Sequence, residues 1–99
     1  MPTIWLSVNT EGEVTTHDTK GSLAEYQAVV GGYIEPVDTD DYTIFINEEG
    51  LLLGLEPNWP ISHLAGQFLV GDVAVVGKPD RFGNTSKLTK LALAEFGLE

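Results

Sequence analysis

The chain has 99 residues, 42% of them hydrophobic and 20% charged, which is typical of one small globular domain. It contains no cysteine, and this excludes disulfides, thiolate nucleophiles and cysteine-based metal sites. Fifteen acidic residues against five basic ones give a net charge of −10. This charge disfavours direct binding to nucleic acid or anionic lipid, because contacts with phosphate depend on Lys and Arg.

The hydropathy pattern gives no sign of a membrane protein or a secreted one. No segment reaches the roughly 18 to 20 consecutive apolar residues that a membrane-spanning helix needs. The first residues lack the order of basic, apolar and small residues that marks a signal peptide. We therefore expect a cytoplasmic protein without a membrane partner.

A β-hairpin is predicted at the start of the chain. Residues 3–8 are rich in strand-forming side chains, and the polar turn at 9–12 leads to a second short strand at 13–16. This second strand has few large apolar groups. We place it at the edge of a sheet, where one side can face solvent.

A helix is predicted to follow the hairpin. It begins at Ser22, because the spacing of Ser22 and Glu25 is that of a capping box. Gly31 is placed to end it in the left-handed conformation, and Gly32 lets the chain continue as a strand. The predicted apolar face consists of Leu23, Tyr26, Gln27 and Val30.

A three-stranded meander is predicted next. Strands at 33–37 and 42–46 pair across a polar turn, and Pro36 places the first of them at an edge because proline cannot donate to a ladder. The second strand alternates apolar and polar side chains. A turn closed by Gly50 leads to residues 51–53, which we interpret as a short third strand.

Three further elements complete the predicted fold. Asn58 caps a short helix that ends before Gly66, and residues 68–76 form a buried central strand in which Gly71 marks a bulge or a close backbone approach. A last helix spans 86–96, with an apolar stripe of Leu88, Leu91, Ala92 and Phe96. The prediction is one α+β domain over residues 1–99, with an antiparallel or mixed sheet of about five strands, two main helices and one short helical turn.

Residues 29–54 contain six carboxylates and no Lys or Arg, which makes them the main candidate binding surface. An EF-hand loop counted from Asp38 would need glycine at its sixth position, where Thr43 stands, so no calcium site is predicted. Trp59 is added as a candidate because tryptophan is enriched at binding hot spots. The candidate partner-binding residues are Glu35, Asp38, Asp40, Asp41, Glu48, Glu49 and Trp59.

The sequence contains no recognisable catalytic, cofactor or metal motif. Phosphate-binding glycine patterns and the nucleophile-elbow pattern are absent, and His17 and His63 belong to no metal-ligand spacing. We expect no serine to have a neighbouring catalytic base, and this applies to Ser7, Ser22, Ser62 and Ser86. We therefore expect a protein that is not an enzyme and needs no cofactor or metal ion.

Four short motifs occur in an order that resembles a known family of unknown function. That family consists of small proteins and domains from bacteriophages, prophages and conjugative elements. Departures are Asn47, where an acidic residue is usual, and Trp59-Pro60 after the third motif. The resemblance spans residues 21–77 and implies a source in a bacterial host but no activity. The motifs are VGGYIE (30–35), NEEG (47–50), LxPN (55–58) and LVGDVAVVG (69–77).

Three hypotheses of function follow. The first is an accessory protein of a phage or mobile element that binds a host or element protein with a basic surface, with a homodimer as a further form. The second is a mimic of nucleic acid that inhibits a DNA-binding or restriction enzyme, which would require the carboxylates to lie in a row. The third is a protein that sequesters a nucleotide-like signal through Lys78, Arg81, Lys87 and Lys90.

Overall fold

An antiparallel sheet is the centre of the molecule. The computed structural model describes residues 4–78 and 87–98. Within these residues the sheet has five strands in the order β2-β1-β5-β4-β3, and each neighbouring pair is antiparallel. The strands are β1 (Trp5–Val8), β2 (Val14–His17), β3 (Ile34–Asp38), β4 (Tyr42–Asn47) and β5 (Val73–Gly77).

Helices cover both faces of this sheet, so the predicted α+β class is confirmed. α1 packs on one face, where Tyr26 joins Trp5, Ala74 and Val76 in a small apolar cluster. α3 and α4 supply side chains to the larger core on the other face. In the described ranges no helix is long and apolar enough to cross a membrane. The helices are α1 (Leu23–Val30), α2 (Gly50–Leu53), α3 (Trp59–Ala65) and α4 (Lys90–Glu95).

The sheet order confirms the predicted places of three strands. β5 is central and buried along its whole length, with Val73 and Val75 in the larger core and Ala74 on the α1 face. β2 and β3 are the two edges. Pro36 therefore lies where its missing N–H costs no ladder hydrogen bond.

The predicted limits of α1 and α3 follow from their caps. The Ser22 hydroxyl accepts the Glu25 N–H at 3.2 Å, and Gly31 ends α1 with φ of 80°. Asn58 caps α3, which ends before Gly66. The predicted apolar face is wrong at one position, since Leu23, the first residue of the helix, is exposed.

The third strand predicted at 51–53 is wrong, because these residues form α2. Both edges of β4 are already paired, with β3 and β5, so a strand after the turn has no free edge beside β4. Leucine is a good helix former, and Gly54 closes the helical turn with φ of 69° and an N–H bond to the Gly50 carbonyl. Gly50 itself packs closely, since a Cβ there would lie 2.8 Å from Val70 Cγ2.

The continuous strand predicted at 68–76 is divided into two parts. Val70 forms an isolated bridge with Pro57, and β5 begins only at Val73. Gly71 separates them with φ of +80°, and its N–H donates to the Glu56 carbonyl at 2.7 Å. A Cβ at Gly71 would lie 2.8 Å from Leu55 Cδ1, so the predicted close backbone approach is confirmed.

The C-terminal helix is shorter than predicted. Thr89 caps α4 at its N-terminus, and the predicted start at Ser86 lies outside the described residues. Leu88 and Ala92 are buried as expected, but Leu91 is exposed, so its place in the apolar stripe is wrong. Leu93 packs against the larger core instead.

Candidate functional site

The six carboxylates of residues 29–54 are all exposed and fall into two groups. The pairing of Ile34 with Asn47 brings Glu35 close to the turn that contains Glu48 and Glu49. Asp38 is three residues further along β3, about 10 Å away at the usual rise per residue, and faces the other side of the sheet. Since the groups are separate, the carboxylates do not form the continuous row that nucleic-acid mimicry would require.

The first group, Asp38, Asp40 and Asp41, lies at the tip of the β3–β4 hairpin, and the Asp38 carboxylate has a structural role. Asp38 accepts a hydrogen bond from the Thr43 hydroxyl at 2.7 Å and pairs with Lys78 at 3.6 Å. The hydrogen bond, and then the positive charge of Lys78, hold the pKa of Asp38 below its usual value. The Thr39 hydroxyl accepts the N–H groups of Asp41 and Tyr42, which fixes the turn.

Two carboxylates of the second group, Glu35 and Glu48, border an open groove that we call the leucine groove. It lies between the end of the β3–β4 pair, α2 and the loop before β5, and its volume is about 350 Å³. Leu52 is 87% exposed, and Leu51 and Phe68 are also exposed. The lining of the leucine groove includes Glu35, Ile46, Glu48, Leu51, Leu52 and Phe68.

Trp59 belongs to the same surface. Its side chain is 64% exposed, and its ring centroid lies 5.4 Å from that of Phe68. Because Phe68 lines the leucine groove, the structure brings three predicted candidates, Glu35, Glu48 and Trp59, to one surface. The apolar side chains of this surface, Leu51, Leu52 and Phe68, lie in segments that were predicted to be strands. The glycines on both sides of residues 51–53 were the signal in the sequence for an exposed helical turn there.

A second open groove lies on the other side of α2, and we call it the tyrosine groove. Its volume is about 480 Å³. Tyr33, 70% exposed, and Glu49 line it together with the last turns of α1. The residues that line it are Ala24, Gln27, Ala28, Gly31, Gly32, Tyr33, Asn47, Glu49 and Leu53.

Asn58 is a structural residue, as its predicted capping role implies. Its side chain is fully buried and donates to the carbonyls of Val8 at 3.2 Å and Gly71 at 2.9 Å. Its Oδ1 also accepts the N–H of Ile61. One amide therefore joins β1, the chain before β5 and the first turn of α3.

Ser7 and His17 form a pair that the sequence analysis missed. The Ser7 hydroxyl and His17 Nε2 lie 3.0 Å apart across the β1–β2 hairpin, so the expectation that no serine has a base beside it is wrong for Ser7. The signal in the sequence that could have revealed this pair was the register of the predicted hairpin. The imidazole stacks on the Trp5 indole with a centroid distance of 3.8 Å, so the bond holds a packed ring in place.

The positions of the acidic and basic side chains bear on the metal and nucleotide hypotheses. In residues 4–78 and 87–98 there is no group of three His, Asp or Glu side chains that could hold a metal ion. Lys78, one of the cations considered for nucleotide binding, is paired with Asp38. Arg81 lies outside the described residues, and Lys87 and Lys90 are exposed near the start of α4.

Comparison with known protein families gives a match over most of the chain. No curated protein and no solved structure matches the chain. A family model described as a domain of unknown function, DUF3846, matches residues 3–97. This match extends well beyond residues 21–77, where the four motifs lie, and includes both grooves. The chain therefore belongs to the DUF3846 family of domains of unknown function.

Proposed function

We propose that this protein is a non-enzymatic accessory protein of a phage or mobile genetic element, and that it acts by binding another protein through the leucine groove. The observation that carries the proposal is the exposure of Leu51, Leu52 and Phe68 beside the carboxylates of Glu35 and Glu48. The phage or mobile-element origin is supported by the four ordered motifs.

The exposed apolar side chains favour a binding role over a folding role. A contiguous, exposed apolar surface bordered by polar residues commonly marks an interaction site. Burial of such side chains contributes roughly 25 cal/mol per Å² of apolar area removed from water, and most of that gain is still available at Leu52. Trp59 and Phe68 add aromatic side chains of the kind that dominate binding hot spots.

The charge around the groove indicates the chemistry of the partner. Residues 21–77 contain no Lys or Arg, so Glu35 and Glu48 have no basic side chain of this segment to balance them. A partner with apolar side chains surrounded by Lys or Arg would bury the leucines and neutralise these carboxylates. A second copy of the chain docked on this groove would bring carboxylates together, which favours a different protein as the partner.

Capture of partners by immobilised protein, from a lysate of the host that carries the gene, tests the proposal. The variant Glu35→Lys/Glu48→Lys is expected to lose the captured partner. Asp40→Lys/Asp41→Lys is the matched control, because it makes the same change in net charge at the hairpin tip. Leu52→Ser, compared with Leu91→Ser on α4, tests the apolar contribution at two exposed leucines.

Retention of the partner by the hairpin-tip variant and loss by the groove variant would support the proposal. Equal loss in both variants would show that only net charge matters and would contradict a defined site. Full retention by Glu35→Lys/Glu48→Lys and by Leu52→Ser would contradict it as well.

A further inference from the structure

The tyrosine groove has an electrostatic character of its own. It runs along the exposed side of α1 and ends at Gly31 and Gly32, where Tyr33 and Glu49 stand at its border. Ala24, Ala28 and Leu53 provide apolar walls. Three independent features of this groove attract a positive charge, and each comes from a different element.

The first feature is the C-terminal end of α1. The aligned peptide dipoles of a helix give its C-terminus a partial negative charge of about half an elementary charge. Lys, Arg and His commonly balance this charge from the last turn, but α1 has no basic residue there. The groove opens directly at this end, through Gln27 and Gly31.

The second feature is the Tyr33 ring. It is 70% exposed and forms part of the groove lining, so most of the side chain is open to solvent. The face of an aromatic ring attracts cations, with a contribution of about 0.5 to 1 kcal/mol at exposed sites. Tyr33 directly precedes the edge strand β3, whose first residue, Ile34, packs on the α1 face of the sheet instead.

The third feature is the carboxylate of Glu49. Its backbone N–H is held by Asn47 Oδ1 at 2.8 Å, which fixes the turn that presents the side chain. Among the residues the structure describes, no Lys or Arg forms an ion pair with Glu49. Its neighbour Glu48 borders the leucine groove, so two adjacent glutamates serve different grooves.

We infer that the tyrosine groove binds the guanidinium group of one arginine side chain of the protein partner. The planar guanidinium can stack on the Tyr33 ring while it donates two hydrogen bonds to the Glu49 carboxylate, a geometry that the lysine ammonium cannot reproduce. The aliphatic part of the arginine would contact the apolar walls of the groove. This inference rests on the proposed function and adds a specific anchor to it.

Titration of ¹⁵N-labelled protein with Nα-acetyl-arginine methylamide, monitored by NMR, tests the inference. Saturable shifts are expected for the amides of Gly31, Gly32, Tyr33 and Glu49. The matching citrulline compound has nearly the same shape without the charge, and it should produce no such shifts at equal ionic strength. Equal responses to the two compounds, or shifts spread over all acidic surfaces, would overturn the inference.

Matched variants locate the binding groups. Glu49→Gln is expected to weaken arginine binding, whereas Asp40→Asn, which removes the same charge at the hairpin tip, should leave it unchanged. Tyr33→Leu is expected to weaken binding by about 2- to 5-fold, and Tyr33→Phe should retain it because the ring remains. Equal effects of the two carboxylate variants, or of the two tyrosine variants, would contradict the assignment.

Partner capture separates this inference from the proposed function. Glu49→Gln is expected to reduce capture of the partner as well as binding of the arginine compound. If arginine fails to bind while Glu35→Lys/Glu48→Lys still abolishes capture, the inference fails and the proposed function stands. If arginine binds but Glu49→Gln leaves capture unchanged, the groove does not take an arginine of the partner and the inference also fails.

Discussion

The side-chain amide of Asn47 donates a hydrogen bond to the carbonyl oxygen of Val30 at 3.0 Å, and this contact joins the end of β4 to the last residue of α1. The same amide accepts the N–H of Glu49 through its Oδ1 and so begins the turn into α2. Asn47 is buried, and it lines both grooves. One side chain therefore sets the position of α2 relative to α1.

Asn47→Ala is expected to lower the free energy of unfolding by about 1 to 3 kcal/mol, because it removes two hydrogen bonds and leaves the Val30 carbonyl without this donor. Urea unfolding monitored by circular dichroism would measure the loss. Asn9→Ala is the control, since Asn9 also organises a turn through two backbone N–H groups but lies nearer the surface. It should cost about 0.5 to 1 kcal/mol. Equal losses would contradict the central role of Asn47.

Asn58→Asp, at the second buried side-chain amide, is expected to lower the free energy of unfolding more than Asn47→Ala does. The substitution replaces the donor that serves the carbonyls of Val8 and Gly71 with a carboxylate oxygen, in a site with no exposed surface. A buried charge that faces two carbonyl oxygens should cost more than about 3 kcal/mol. Thermal unfolding at pH 7 should show a largely unfolded variant, and a native-like melting curve would contradict this account.

Local chemistry made several of these features predictable. Ser22, Gly31, Asn58 and Gly66 each act within a few residues of their own position, so capping rules placed α1 and α3 correctly. Pro36 likewise identified an edge strand from its own missing N–H. These signals depend on backbone geometry that a short segment determines by itself.

The prediction of a strand at residues 51–53 was wrong because the outcome depends on distant parts of the chain, which local rules do not consider. Three leucines suit a buried strand as well as a helix, and the choice depends on whether a free sheet edge lies beside them. That edge is absent next to β4 because β5, which comes later in the chain, already pairs there. The two grooves were hidden for the same reason, since both depend on where α2 lies.

Tyr42 should make the stability of the protein sensitive to alkaline pH. Burial, together with the negative charges of Glu95 and Asp41, raises the pKa of Tyr42 to about 12. A tyrosine in an unfolded chain titrates near about 10, so the unfolded state loses its proton first as the pH rises between these values. The contribution of this group to stability is complete below about pH 10 and is lost as the pH approaches about 12.

Tyr42→Phe is expected to remove this part of the pH dependence, which amounts to about 1 to 2 kcal/mol. At pH 7 the variant should be as stable as the wild type or up to about 1 kcal/mol more stable, since the buried hydroxyl has no hydrogen-bond partner within 4–78 and 87–98. Urea unfolding of both proteins at pH 7, 9, 10 and 11 would measure the difference. The same slope in both proteins above pH 9 would contradict the assignment to Tyr42.

The leucines of α2 should be dispensable for folding. Leu51→Gln/Leu52→Gln is expected to change the free energy of unfolding by less than about 0.5 kcal/mol per substitution, because both side chains are exposed. Ile61→Ala, at a fully buried position, should cost about 2 to 5 kcal/mol in the same urea experiment. A large loss in the double variant would mean that α2 supports the fold, and the exposed leucines would then need no partner to explain them. An unchanged stability would show that the folding of the domain does not depend on this apolar surface, as the proposed binding role requires.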